Sequence, residues 1–166
     1  MKAGIIHLTD IHFSEEKNWL DDKISNIITA ILQDFQDTNN IYFIVTGDIA
    51  NKGKAAEYLI AESFLNKLKT SAERFLKDKI FKFVIIPGNH DCNFTYDNQS
   101  RRNDINGMNY SKIGEDDSVI NSSMVVQKDF WDFYQKFNSL PKNRLVFQVE
   151  DIIENKKICF TCYNTT

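Results

Sequence analysis

Three short apolar runs, each ending abruptly in a cluster of Asp, Asn, His or Gly, constrain this chain more than any other feature. Ala3–Leu8 leads into Asp10-Ile11-His12, Ile41–Thr46 into Gly47-Asp48, and Phe81–Ile86 into Gly88-Asn89-His90-Asp91. The runs IYFIVT and FKFVII are short, apolar and rich in β-branched and aromatic residues, which predicts buried strands of a parallel sheet. Between them the apolar residues change period. Leu20, Ile24, Ile27, Ile28, Ile31 and Phe35 recur at threes and fours over Trp19–Phe35, and Ala61, Leu65, Leu68, Ala72 and Phe75 do so over Lys54–Leu76. Those spacings predict amphipathic helices. A strand–helix–strand–helix–strand order predicts a layered α/β fold with right-handed crossovers.

Beyond residue 92 the pattern breaks. The stretch 93–123 is rich in Asn, Asp, Ser and Gly without a sustained period, and is expected to be a long loop or lid inserted in the domain. Phe130, Phe133, Tyr134 and Phe137 then predict a helix whose aromatic stripe belongs to the core. Leu145–Glu150 and Lys157–Tyr163 are expected to be strands. Cys159 and Cys162 have the spacing of a redox pair, but on a strand they face opposite sides.

Bulk properties exclude several classes of function. Net charge is −3, so no broad positive field exists to hold nucleic acid or an anionic membrane. No stretch approaches the roughly 18 apolar residues of a membrane span. The first residues lack the length and cleavage site of a signal peptide. Three cysteines do not make a disulfide framework. A cytoplasmic protein without membrane partners is the expectation.

The residues after the strands suit metal chemistry. Ligands of open α/β sheets bind off the carboxyl ends of the strands, so the three clusters should converge. Asp10 and His12 are two apart and project to one side of an extended segment. Asp48 follows a glycine that permits a tight turn, and Asn89 adds a neutral carbonyl oxygen. This oxygen and nitrogen set, without thiolate, suits Mn, Fe or Zn better than Ca.

Asp-x-His, then Gly-Asp-x4-Gly from Gly47 to Gly53, then Gly-Asn-His-Asp from Gly88 to Asp91, is an ordered triplet of motifs. With it the chain resembles the calcineurin-like metallophosphoesterases. The resemblance implies a layered αββα sandwich, two divalent metal ions and a phosphoester substrate, possibly a nucleotide. It implies that Asp10 and His12 bind one metal, Asp48 bridges both and Asn89 binds the second. His90 would then approach the substrate phosphate and assist the leaving group, with Asp91 holding the His90 ring. The implied reaction is attack on phosphorus by a hydroxide between two metals ~3.5–4 Å apart.

The family pattern continues with further histidines, whereas this sequence contains only His7, His12 and His90. Residues 1–166 are therefore expected to be the N-terminal part of the catalytic domain. Two readings remain open at this level. The chain is a piece of a longer enzyme, with a missing C-terminal half or downstream domain and reduced metal occupancy alone. Or it is a half-domain completed by another chain or used as a noncatalytic scaffold. An unpaired strand edge would in either case invite dimerisation.

Overall fold

Strands β1 (Ala3–Thr9), β2 (Asn40–Thr46) and β3 (Ile80–Ile86) pair in parallel, in the order β1-β2-β3. They do so in a computed structural model that describes residues 2–16, 21–107 and 117–166. The register sets Ala3 beside Asn40 and Ile80, and Thr9 beside Thr46 and Ile86. All three strands thus end level, and the three polar clusters start from one edge of the sheet.

Alternation of side chains divides the sheet into two faces. Ile41, Phe43, Val45, Phe83 and Ile85 are buried on one, on the side of helices α1 (Ile24–Asp34) and α2 (Ala55–Phe75). Helix α1 is anchored at its end. A Cβ on Gly4 would meet the Phe35 ring at 2.9 Å, and the Lys79 ammonium donates to the carbonyls of Phe35 and Thr38 at 2.9 and 2.7 Å. Trp19 and Leu20, expected in this helix, lie outside the described residues. The described part enters it through a 3-10 turn, Asp21–Lys23.

The other face carries Tyr42 and Lys82 and is met by the antiparallel hairpin β4 (Val146–Ile153) and β5 (Lys156–Tyr163). Tyr42 packs on Phe160 with ring centroids 4.9 Å apart. Its hydroxyl donates to Asp151 at 2.6 Å, and the Lys82 ammonium holds the second oxygen of the same carboxylate. Glu154 and Asn155 turn the hairpin with φ of 49° and 63°, the paired positive values of a tight two-residue connection. Helix, sheet and hairpin layers result, in agreement with the expected α/β sandwich. Cys159 is exposed and Cys162 buried, on opposite faces of β5.

Helix α5 (Lys128–Tyr134) joins the layers. Phe133 stacks on Tyr58 of α2 at 5.1 Å, while Trp131 and Tyr134 stand edge-on to Phe147 of β4. The aromatic stripe is core, as its spacing predicts. The stretch 93–123 differs from the expected loop: a 3-10 turn (Phe94–Tyr96), α3 (Gln99–Gly107) and α4 (Asp117–Ser123) lie within it, with 108–116 outside the described residues. Helix α3 buries no side chain, so it leaves no apolar period to read. Polar contacts hold it instead. Asn98 accepts from the Arg101 N–H at 2.9 Å, and Arg101 and Arg102 both clasp Asp97. Both arginines are engaged by that one carboxylate.

Asp151 is the polar tie between sheet and hairpin. Burial works to raise its carboxyl pKa, but Lys82 and the Tyr42 hydroxyl outweigh this and hold it below the usual value. A lowered folded-state pKa stabilises the fold above the unfolded value near ~4 and loses that contribution as pH falls through the folded value. Thermal melts of Asp151→Asn should show a loss of about 1–2 kcal/mol at neutral pH. Below pH ~4 the variant and the parent should converge.

Candidate metal centre

The loops beyond the three strands are fastened to one another by backbone. His12 N–H donates to the Asp48 carbonyl and Phe13 N–H to Ile49, each at 2.8 Å, and Asn51 N–H returns to Phe13 at 3.0 Å. Phe13 and Ala50 form an isolated parallel bridge. The first loop is therefore zipped along the second, past the end of the sheet. Gly47 N–H donates to Ile86 at 2.9 Å, linking the second to the third.

Two glycines make this close approach possible. Gly53 has φ +65°, and a Cβ there would meet Asn93 N at 2.7 Å. A Cβ on Gly88 would collide with Asp48 Oδ1 and its backbone nitrogen. The first glycine of the third motif is thus a steric requirement for the carboxylate of the second.

Asp10, His12 and Asp48 all have left-handed backbone, with φ of 53°, 53° and 47°. Asp and His tolerate this region better than most side chains, yet each such residue costs on the order of 1 kcal/mol. At His12 and Asp48 this backbone accompanies side chains that come together. His12, Asp48 and His90 each offer a ligand atom, and the three atoms lie within 4.8 Å of one another. The imidazoles of His12 and His90 meet edge to face at 4.8 Å. His12 Nε2 lies 3.9 Å from Asp48 Oδ2, while Asp48 Oδ1 accepts from the His90 backbone N–H at 3.0 Å.

Asp10 is not among the three gathered ligands; its carboxylate accepts from the neighbouring Thr9 hydroxyl at 2.6 Å. Asn89 is exposed at the start of a 3-10 turn, Asn89–Asp91, and lines the same cleft as His90. His7 is exposed on β1 and hydrogen-bonded to Thr46 Oγ1 at 2.6 Å within the sheet, and it is not one of the gathered ligands.

Asp91 is placed otherwise than the sequence suggests. It is wholly buried, and its carboxylate accepts from the N–H groups of Ile49, Ala50 and Gly88 at 3.1, 2.9 and 2.8 Å and from the Tyr58 hydroxyl at 2.9 Å. Burial pushes its carboxyl up from the ordinary value, against the opposing pull of those N–H groups and the phenol. The Tyr58 hydroxyl is pushed up as well, by burial first and by Asp91 second. The His90 ring is held not by Asp91 but by the Asn51 carbonyl, 2.8 Å from Nδ1. A carbonyl only accepts, so Nδ1 carries the proton in this contact.

Sequence reasoning missed three supporting groups. Tyr58 and the Asn51 carbonyl carry no local signal. Glu57 does: it stands three residues after Lys54 at the start of α2, and its carboxylate accepts from the N–H groups of Lys52 and Lys54 at 2.9 and 3.1 Å. An acidic residue at that position is a readable helix-start signature.

One carboxylate and two imidazoles gathered off the level ends of a parallel sheet are a group able to hold a metal ion. The family model for calcineurin-like phosphoesterases matches residues 3–160, and the chain belongs to that family. Comparison with curated proteins and with solved structures gives no significant match. The family acts on phosphoesters with divalent metals, and hydrolysis of this bond class is the family's general activity. Among the described residues no helix is long and apolar enough to cross a membrane.

Because Asp91 alone answers three backbone donors, Asp91→Asn should be severe, turning an NH2 group toward those N–H groups. Urea unfolding should show a loss of about 3 kcal/mol or more for Asp91→Asn, against about 1 kcal/mol for Tyr58→Phe. Equal, small losses in both variants would contradict this account of the site's support.

Proposed function

We infer that this chain contributes a metal-binding half-site for phosphomonoester or phosphodiester hydrolysis with two divalent ions. Asp10 and His12 would hold one ion, Asp48 would lie between the two, and Asn89 would reach the second. The supporting observation is the convergence of His12, Asp48 and His90, from three separate loops, within 4.8 Å. The donors fit such ions: carboxylate and amide oxygens with imidazole nitrogen, and no thiolate, which favours Mn, Fe or Zn. Bound divalent ions would neutralise charge on the phosphoryl oxygens and lower the pKa of an attached water.

The protein's own part is positioning. Left-handed backbone at His12 and Asp48 accompanies their gathering beside His90 before any ligand arrives, so little reorganisation is left for the reaction. His90, fixed through Nδ1 by the Asn51 carbonyl, presents Nε2 to the leaving-group oxygen, where it gives or takes a proton. Asp91 acts one layer below as a positioning residue that keeps the second and third loops together. His7, His12 and His90 are the only histidines of the sequence, and His7 is engaged elsewhere. In this reading the remaining imidazoles of the two metal shells come from polypeptide outside these residues.

Two measurements test the reading. Mn²⁺ should raise the melting temperature in proportion to its binding. Asp48→Asn should abolish that rise. His12→Gly should abolish it too, while leaving metal-free stability within about 1 kcal/mol, because glycine relieves the left-handed backbone. In polypeptide that carries the completing imidazoles, release of p-nitrophenol from bis-p-nitrophenyl phosphate should fall about a hundredfold on His90→Ala. Turnover that survives both Asp48→Asn and His90→Ala would sink the mechanism and leave a noncatalytic scaffold as the better description.

A further inference from the structure

Beside His90 an open cleft of ≈ 590 Å³ runs along the residues that follow β3. The residues that line it bring three kinds of chemistry: Phe94 an aromatic ring, Lys52 and Lys54 cations, and Asn51 and Asn89 amides. Phe94 is 63% exposed. An exposed aromatic alone is unremarkable on a protein surface, but this one is mounted on a braced turn. Asn93 is buried; its side-chain oxygen accepts from the Thr95 N–H at 3.2 Å and the Thr95 hydroxyl at 2.6 Å, and its amide donates to buried Asp129 at 3.0 Å. Tyr96 donates to the same Asp129 from the far end of the turn, at 3.1 Å. The turn that carries the ring is pinned at both ends, and the ring itself is left outside the core.

The cations are equally available. Among the described residues no carboxylate pairs with the ammonium of Lys52 or Lys54, in a chain whose net charge is −3. Glu57 meets their backbone N–H groups instead. An exposed aromatic residue, two lysines without a carboxylate partner among the described residues and two asparagines line one cleft together with His90. They match a ligand with a phosphoryl group at one end and a planar heterocycle at the other.

We propose that this cleft binds a nucleotide, with the base stacked on Phe94, the phosphate charge met by Lys52 and Lys54, and the phosphoryl group directed at His90. The direction of the ligand rests on the phosphoesterase reading above; the binding itself does not. A sugar phosphate would use the cations and leave the ring bare. A phosphotyrosyl side chain brings a ring without the sugar that separates base from phosphate or the polar edges that amides can meet.

Calorimetric titration of the chain with adenosine 5′-monophosphate, ribose 5-phosphate and O-phosphotyrosine tests this without turnover. The nucleotide should bind about tenfold or more tightly than ribose 5-phosphate, the scale of one base stacked on an aromatic ring. Phe94→Ala should erase that ratio with an unchanged thermal melt, since the ring is largely outside the core. Lys52→Gln combined with Lys54→Gln should weaken both ligands together. Equal binding of the nucleotide and the sugar phosphate, a ratio that survives Phe94→Ala, or no binding of any ligand would overturn the proposal. So would O-phosphotyrosine binding as tightly as the nucleotide. Nucleotide binding through Phe94 in a protein whose turnover ignores His90→Ala would refute the catalytic assignment and leave the cleft standing; normal catalysis without the Phe94-dependent ratio would do the reverse.

Discussion

The buried carboxylate of Asp91 is the interaction on which the site depends. It collects backbone donors from Ile49 and Ala50 in one loop and Gly88 in another, together with the Tyr58 hydroxyl from α2. A loop beyond the end of a strand has no ladder partner for its N–H groups, and burying them unpaired would cost about 1–3 kcal/mol each. One carboxylate answers three of them at once and binds two loops and a helix into a unit. The first loop then joins through the His12 and Phe13 N–H groups. Below this unit the level register of β1, β2 and β3 brings the three loops to a common height.

Such fastening explains how strained residues persist. Asp10, His12 and Asp48 hold positive φ, which an unrestrained loop would relax. Zipped backbone on either side leaves no room for that relaxation, and Gly88 removes the one Cβ that would displace the Asp48 carboxylate. Local instability is thereby exchanged for the gathering of His12 and Asp48 beside His90. The aromatic packing of α5 against α2 and β4 supplies the stability against which this local cost is set.

Much of this was legible in the chain. Continuous apolar runs marked the three parallel strands, and apolar spacings of three and four marked both long helices and the aromatic stripe of α5, because a strand covered on both faces is apolar throughout whereas a helix buries one stripe. The two closing strands were also legible, but not their pairing into a hairpin. Helix α3 was not legible for the same reason in reverse. It buries no side chain, and its contacts, from Asn98 to Arg101 and from both arginines to Asp97, follow no period.

At the site the division is sharper. The sequence alone determined which residue types stand directly after each strand, and hence that Asp10, His12, Asp48, Asn89 and His90 share one edge of a sheet: strand ends and motif order are local properties. Tertiary structure decided what each of them meets. Asp91, adjacent to His90 in the chain, turns inward to backbone from two loops and to α2, and the ring it was expected to hold is held by the Asn51 carbonyl 39 residues away. Hydrogen-bond partners of that kind depend on distances across loops, and those exist only once the sheet has set its register and the loops have closed over it.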